Sequence, residues 1–240
     1  MPFHPYTIFP LGDCALTIDF GNSIDENINK KVLQLFYQLQ SGCIPHIIDL
    51  IPAYSSLTVY YDIVALYQKK EAEKTAFEIM AERIERLTAE ETNDRSEPSR
   101  QIKIPVCYAE PFALDIQEIA QQKNRTVDEI IRLHTAKTYR IFMIGFLPGF
   151  AYMGTVDERI AVPRKEKPRS VVAAGSVGIA GQQTGIYPLH SPGGWQIIGR
   201  TPLPLFDKDK SQPVLLQPGD EVTFHSITED EFTHYQSRPA

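Results

Sequence analysis

Glycine is distributed unevenly along this chain, and its distribution constrains the fold more than any other feature. Ten of the 14 glycines lie between Gly145 and Gly199, where proline and β-branched residues also recur and no helical spacing of apolar residues is found. Short β-prone segments separated by turn residues roughly every 8 to 12 positions are typical of a barrel or a sandwich. We therefore predict that the second half of the chain is mainly β-structure.

The first half of the chain has a different pattern. Two pairs of short β-branched and aromatic segments, each pair divided by turn residues, predict two hairpins. Apolar residues spaced three or four apart predict one helix after each hairpin, the first between Ser23 and Gly42 and the second from Ala72 to Leu87. Because each element has a single apolar face to bury, we expect a ferredoxin-like α+β sandwich with both helices on one side of the sheet.

A polar segment separates the two patterns. Beyond Ala89 the chain has no large apolar or aromatic side chain until residue 102, which is the composition of a solvated linker. We therefore predict a small α+β domain over residues 1–90, a linker over residues 91–100 and a β-barrel domain over residues 101–240.

Two short helices are predicted at the start of the second domain, over Asp115–Gln122 and Val127–Ala136. Thr126 and Glu129 have the spacing of a capping box at the start of the later helix. His134 lies on the apolar stripe of that helix, so we expect it to be packed or half-exposed rather than a ligand of a metal or substrate.

Charge and composition exclude several classes of protein. The formal net charge of -6 gives no general basic field for a phosphate backbone, so nucleic acid is not an expected partner. No apolar run approaches the roughly 20 residues that a bilayer crossing needs, and the first residues lack the pattern of a secretory signal. A cytoplasmic location without membrane contact is the expectation. The three cysteines form no CxxC pair, so we expect buried thiols and recognise no metal-ligand set.

The motifs of autonomous enzymes are missing from the sequence. It contains no GxxxxGK[ST] phosphate loop, no GxSxG elbow and no HExxH helix. Gly175, Gly178 and Gly181 give a GxxGxxG spacing, but no helix is predicted after it. We therefore favour tight bends or close backbone approach over phosphate binding at these glycines.

A basic and aromatic stretch is the best candidate for a binding site. Arg164, Lys165, Lys167 and Arg169 place four positive charges within six residues, which fits either an anion site or a solvated basic loop. Donors and acceptors follow over residues 182–187, and a rigid turn then carries the chain's one tryptophan. Such residues are typical of a pocket wall, although the indole could equally belong to the core.

Seven segments of the sequence carry a resemblance to a known family. They are PLGD (10–13), IPVCY (104–108), FLPGFAYMG (146–154), AVPR (161–164), AGSVGIAGQQTGIYPLHSPGGWQIIGRTP (174–202), LFD (205–207) and LQPGDEVTF (216–224). With these segments the chain resembles the allophanate hydrolase subunit 1 family, which includes the B subunit of ATP-dependent 5-oxoprolinases and an inhibitor of a sporulation histidine kinase.

The resemblance implies a fold, an activity and a set of partners. It implies a small α+β domain followed by a cyclophilin-like β-barrel, in a protein that works with a subunit 2-type protein (the C subunit of a 5-oxoprolinase) and a third protein (the A subunit). The implied complex uses ATP to open 5-oxo-L-proline to L-glutamate, and this chain would be inactive alone. A different function left open is inhibition of a sensor histidine kinase through protein–protein contact.

The resemblance also implies which residues form the site. Stabilising a transferring phosphoryl group needs cations and hydrogen-bond donors around it. The residues expected to act in catalysis are Arg164, Arg169 and Arg200. Those expected to bind substrate are Gln183, Thr184, Tyr187, Ser191 and Trp195.

Overall fold

The computed structural model describes residues 6–42, 44–68, 74–89 and 99–236. The chain divides into two compact units, Met1–Pro98 and Ser99–Ala240. The linker predicted over residues 91–100 lies outside the described residues, apart from Ser99 and Arg100.

The first unit is a four-stranded antiparallel sheet with helices. Its described elements are β1 (Thr7–Pro10), β2 (Ala15–Asp19), α1 (Glu26–Gln40), β3 (Ile47–Pro52), β4 (Ser56–Tyr61), α2 (Ile63–Gln68) and α3 (Ala76–Ala89). The strand order in the sheet is β1-β2-β4-β3, so the two predicted hairpins pair with each other through β2 and β4.

The core of the first unit lies on one face of this sheet. Leu57, Val59 and Tyr61 alternate with less buried residues along β4, and they pack in one cluster with buried residues of α1 and α3. A strand with one buried face has this alternation because successive side chains point to opposite faces. Both helices therefore cover the same face of the sheet, as predicted.

Three details of the first unit differ from the predictions. Its elements run β-β-α-β-β-α-α, whereas the ferredoxin-like motif runs β-α-β-β-α-β. Helix α1 begins after Asp25, whose carboxylate accepts from the backbone N–H groups of Asn27 and Ile28, and not after Ser23. Helix α2, of six residues, was not predicted, because it is too short to show a helical period.

The second unit is built around a closed barrel. Its described elements are β5 (Gln101–Cys107), α4 (Ile116–Gln122), α5 (Val127–Thr135), β6 (Thr138–Ile144), β7 (Ala151–Gly154), β8 (Arg169–Val172), β9 (Ser176–Ala180), β10 (Gln183–Ile186), β11 (Ser191–Gly193), β12 (Gln196–Arg200), β13 (Glu221–Ile227) and α6 (Glu229–Gln236). Seven strands close in the order β10-β7-β6-β13-β5-β12-β9, which confirms the predicted barrel. No helix in the described part of the chain is long and apolar enough to cross a membrane.

Two short strands stand apart from the barrel. β8 and β11 pair antiparallel as a separate ribbon, with Ser191 opposite Val172 and Gly193 opposite Arg169. The β-prone segment at residues 170–173 predicts a strand close to β8, whereas β11, with only three residues, and the pairing of the two strands were not predicted. It holds part of the basic loop and part of the tryptophan-bearing turn, and so it positions the candidate site.

Helix α5 follows its predicted capping pattern. Thr126 accepts from the Glu129 backbone N–H, and the Glu129 carboxylate accepts from the Thr126 backbone N–H. His134 near the end of this helix is fully buried, in agreement with a packed residue.

The cysteines divide into two environments. Cys107 is buried, as expected, but Cys14 is exposed, because it lies in the turn before β2 rather than in the strand. Cys43 lies outside the described residues.

Candidate functional site

Two glycines of the barrel make room for the tryptophan. A Cβ atom added at Gly178 would lie 3.1 Å from Trp195 Cβ, and one added at Gly185 would lie 2.9 Å from Trp195 Cζ3. The indole therefore packs closely against β9 and β10, where it is 4% exposed. The middle glycine of the GxxGxxG spacing thus allows a close approach of Trp195 to the β9 backbone, which supports the structural interpretation of that motif.

Aromatic rings and one arginine surround the indole. Phe150 meets Trp195 and Tyr187 edge-on, with centroid separations of 5.4 and 5.2 Å. The exposed Arg164 places its guanidinium carbon 6.0 Å from the Trp195 ring centroid, within cation–π range. Trp195 is thus packed in a small apolar cluster, and its ring also contacts the Arg164 cation.

Tyr187 is buried beside the same cations. Burial raises the pKa of its hydroxyl, while a hydrogen bond from the Trp195 backbone N–H and the charges of Arg164 and Arg169 act in the opposite direction. The Tyr187 hydroxyl is therefore neutral at physiological pH and can serve as a hydrogen-bond donor to a ligand or neighbour.

The basic loop is attached to the protein on both sides of Arg164. The Gln196 side chain donates to the Pro163 carbonyl oxygen at 3.3 Å, and the Lys165 backbone N–H donates to the Gly194 carbonyl at 2.7 Å. These contacts fix the loop backbone around Arg164. The loop is therefore an ordered part of the site rather than an independent solvated segment.

A buried carboxylate organises the other cations. Asp115 is 2% exposed and accepts from Arg169 Nη2 at 2.5 Å, from Lys165 Nζ at 3.0 Å and from the Ile197 backbone N–H at 2.6 Å. Burial alone would raise the pKa of Asp115, but these hydrogen bonds outweigh it and hold the pKa below its ordinary value. Asp115 is therefore ionised and joins α4, the basic loop and β12.

Two buried polar atoms near this network lack partners. Arg169 Nη1 and Ser191 Oγ are both shielded from solvent, and neither has a hydrogen-bond partner within the described residues. Both residues belong to the β8–β11 ribbon. Buried donors are nearly always satisfied, so each unpartnered one calls for a specific explanation, of which a ligand is one.

The structure brings together five of the eight predicted site residues. We call this group the Trp195 site: Arg164, Arg169, Tyr187, Ser191 and Trp195. Arg164 and Trp195 are in cation–π contact, Tyr187 accepts from the Trp195 backbone, and the ribbon carries both Arg169 and Ser191. The site offers cations, hydroxyl groups and an aromatic wall.

The remaining three predicted residues lie elsewhere. Thr184 is fully buried, and its hydroxyl oxygen lies within hydrogen-bond distance of His134 Nε2. Gln183 is at the start of β10, where it pairs with Ala180 and with Gly154 at the far end of β7. Arg200 donates to the Ala174 carbonyl at 2.7 Å and packs 6.0 Å from the Phe232 ring of α6. Sequence proximity within one glycine-rich block therefore did not bring all eight side chains to one place.

Thr184 belongs to a buried polar chain that satisfies itself. Tyr108 Oη lies 2.8 Å from His134 Nδ1, His134 Nε2 lies 3.0 Å from Thr184 Oγ1, and that hydroxyl donates to the Gly178 carbonyl at 3.1 Å. One neutral tautomer, protonated at Nε2, satisfies every group. Burial lowers the pKa of His134 to about 3, so the ring is neutral at physiological pH.

Sequence reasoning missed Asp115 and Gln196 as site residues. Asp115 was visible only as the start of α4, and Gln196 only as a member of a short strand. Asp115 contacts Lys165 and Arg169, which are 50 and 54 residues away in sequence. An acidic residue in the N-cap position whose side chain does not cap its helix is a structural signal that no sequence pattern reveals.

A polar cavity of about 450 Å³ lies apart from the Trp195 site. The residues that line it are Lys137, Thr155, Val156, Asp157, Glu158, Arg159 and Gln182. Its charges are balanced, and Asp157 is paired with Arg159 at 2.7 Å. No group of three potential metal-ligating side chains occurs in the residues that the structure describes. The Trp195 site is therefore the better candidate for a charged ligand.

Comparison with known proteins places this geometry in a family. Residues 6–216 match the model of the carboxyltransferase domain, subdomain C and D. The chain is 41% identical to the 5-oxoprolinase B subunit of Bacillus subtilis, covering 96% of this chain and 97% of that protein. It is 38% identical to the protein of the same name from Haemophilus influenzae, covering 90% and 96%.

A solved structure agrees with these sequence relatives. TTHA0988 superposes with a TM-score of 0.75 and 32% identity over 89% of this chain, which corresponds to 40% of that longer chain. The fold and the sequence thus lead to the family that the motifs indicated. The chain belongs to the carboxyltransferase subdomain C and D family, together with the proteins named as the B subunit of 5-oxoprolinase.

Proposed function

We propose that this chain is a subunit of an ATP-dependent 5-oxoprolinase complex, which opens 5-oxo-L-proline to L-glutamate. The observation that carries the proposal is the match to the 5-oxoprolinase B subunit along nearly the whole of both chains. The Trp195 site supports it, because it supplies cations and hydroxyl groups for a small anionic substrate.

The chemistry explains why ATP and cations are needed together. A lactam amide is a poor electrophile, and transfer of a phosphoryl group to its oxygen would turn that oxygen into part of a good leaving group. Charge on the phosphoryl oxygens and on the substrate carboxylate would then need positive groups nearby. Arg164 and Arg169 are the candidates of this chain that lie together.

Thr184, Arg200 and Gln183, which lie outside the Trp195 site, are less suited to contact the substrate. The hydroxyl of Thr184 is engaged by His134 and the Gly178 carbonyl, and Arg200 donates to the Ala174 carbonyl. We therefore keep the five residues of the Trp195 site as the proposed substrate-binding set. Any catalytic contact of Arg200 or Gln183 would have to be made to a substrate held by a partner protein.

The proposed activity belongs to an assembly. The sequence has no phosphate-binding loop, so we expect ATP to be bound with the help of the two partner proteins, which correspond to the C and A subunits of a 5-oxoprolinase. The barrel of this chain, proposed to be of the cyclophilin-like type, would supply one wall of the complete site. This arrangement predicts no turnover by the isolated chain.

The test is ATP hydrolysis dependent on 5-oxo-L-proline. The purified chain should show none, while the chain mixed with its two partner proteins should show ATP hydrolysis and glutamate formation in equal amounts. Activity of the chain alone would refute the need for partners. Lack of activity in the full mixture would refute the proposed function.

A deletion experiment separates the alternative function. A strain without this chain should fail to grow with 5-oxo-L-proline as its nitrogen source, and the intact gene should restore growth. Normal growth of the deletion strain, combined with altered autophosphorylation of a sensor histidine kinase, would favour the inhibitor.

A further inference from the structure

The charged side chains at the Trp195 site leave a small positive surplus. Lys165 contacts the carboxylates of Asp115 and Glu118, and Arg169 contacts Asp115. Arg164, over the Trp195 ring, adds a third cation. Three positive charges less two negative charges leave a surplus of one. A site of this kind balances a ligand with one negative charge, whereas a nucleoside triphosphate brings three or four.

Arg169 is held in a way that leaves half of its guanidinium for a ligand. Nη2 is anchored on Asp115 at 2.5 Å, and Nη1 is buried without a partner among the residues described. The buried carboxylate already fixes the guanidinium. An anion that binds to its other edge therefore costs little additional side-chain entropy, which favours binding there.

Ser191 supplies a second unpartnered donor on the same ribbon. The residue is more than nine-tenths buried, and its hydroxyl has no partner in the described part of the chain. A hydroxyl can donate or accept, so it suits an uncharged polar group such as an amide. Val172, which lies opposite Ser191 in the ribbon, packs in one cluster with Tyr187 and Trp195.

From this geometry we infer that the Trp195 site binds a small carboxylic acid with one negative charge and a second hydrogen-bonding group. Arg169 Nη1 holds the carboxylate, Ser191 Oγ bonds to the second group, and the exposed Arg164 closes over the carboxylate from the solvent side. The inference rests on the proposed function for the identity of the acid, 5-oxo-L-proline. It places the nucleoside and the α- and β-phosphates of ATP outside this site, so that only the γ-phosphoryl reaches the lactam oxygen at its edge.

The tryptophan provides the measurement. Trp195 is the one tryptophan of the chain, so its fluorescence reports this site in the full-length protein. We expect saturable titration by 5-oxo-L-proline, binding at least tenfold weaker for its neutral carboxamide, and no competition by ATP at equal concentration. Equal affinity for the acid and the amide, or displacement of the acid by ATP, would overturn the inference.

A pair of serine variants supplies the control. Ser191→Ala should weaken binding of the acid about fivefold to thirtyfold, which is the effect of losing one hydrogen bond of roughly 1 to 2 kcal/mol. Ser170→Ala alters an exposed serine on the same ribbon and should bind as the unaltered chain does. If the isolated chain shows no response, equilibrium dialysis with the assembled complex replaces the titration. Unchanged affinity of the Ser191→Ala complex then contradicts the inference.

The two proposals fail in different ways. A complex that opens 5-oxo-L-proline while Ser191→Ala and Arg169→Gln leave its affinity for the acid unchanged would refute the assigned site and keep the function. If the complex does not open 5-oxo-L-proline but the chain still binds other small carboxylic acids more tightly than their amides, the function is refuted and the assigned site is kept.

Discussion

The second unit buries polar side chains in two places, and the two places differ in how far these side chains satisfy one another. Between α5 and β10, Tyr108, His134 and Thr184 form a chain in which each group has a partner. In the Trp195 site, Arg169 Nη1 and Ser191 Oγ are buried without partners among the described residues. A satisfied network serves the fold, whereas an unsatisfied one is a candidate for binding.

The largest expected effect is on the carboxylate that organises the Trp195 site. Asp115→Asn should lower the free energy of unfolding of the second unit by about 3 kcal/mol, because it leaves the buried side of Arg169 and Lys165 without a counter-charge. Urea denaturation followed by Trp195 fluorescence measures this unit. The control Glu118→Gln changes a carboxylate that is 67% exposed and should alter stability by less than about 1 kcal/mol.

The contribution of the Asp115 carboxylate to the free energy of unfolding should also depend on pH. The pKa of its carboxyl is lower in the folded chain than in the unfolded chain, so its stabilising contribution is complete above about pH 4. The contribution is lost as the pH falls through the folded pKa. Asp115→Asn and the unaltered chain should therefore converge in stability at strongly acidic pH, and a constant difference would contradict the assignment.

A pair of hydroxyl deletions compares the two places directly. Thr184→Val should cost about 2 kcal/mol, because it removes the partner of the buried His134 Nε2. Ser191→Ala should change stability by less than about 0.5 kcal/mol, because no protein partner is lost. Thermal or urea unfolding of the two variants checks this. Equal losses of stability would show that Ser191 is a structural residue like Thr184.

The buried histidine should give the second unit a pH-dependent stability. His134 has a folded pKa of about 3, so stability is full above the unfolded pKa of about 6.5 and falls by roughly 1.4 kcal/mol per pH unit below it. His134→Gln, with an amide in place of the ring, should remove most of this slope between pH 6 and pH 4. A variant with the same slope would assign the proton uptake to another group.

The smallest expected effect on stability concerns the exposed cation of the site. Arg164→Gln should change the free energy of unfolding by less than about 0.5 kcal/mol, since exposed charges contribute little. The same change should alter Trp195 fluorescence, because it removes the cation at 6.0 Å from the ring. An unaltered spectrum would contradict the contact.

Sequence patterns predicted the elements of this protein better than the grouping of its side chains. The hairpins, the barrel and the capping box at Thr126 follow from local periodicity and turn chemistry. Helix α2 and strand β11 escaped prediction, because segments of three to six residues carry too little periodicity.

The spatial grouping of these side chains was predicted in part, for a physical reason. Arg164, Arg169 and Trp195 were visible as a basic loop and an aromatic turn. Their connection through Asp115 depends on contacts between residues about 50 or more positions apart, and the direction of each side chain depends on the register of β8, β10 and β12. Thr184 and Arg200 shared the glycine-rich block with the site, but the register turned them to other surroundings.

The most direct test of the account is steady-state kinetics of the assembled complex carrying Arg169→Gln, with each substrate varied in turn. We predict that KM for 5-oxo-L-proline rises at least tenfold while KM for ATP stays within a factor of two. An increase in KM for ATP with an unchanged KM for 5-oxo-L-proline would show that the Trp195 site holds the nucleotide and would contradict the account.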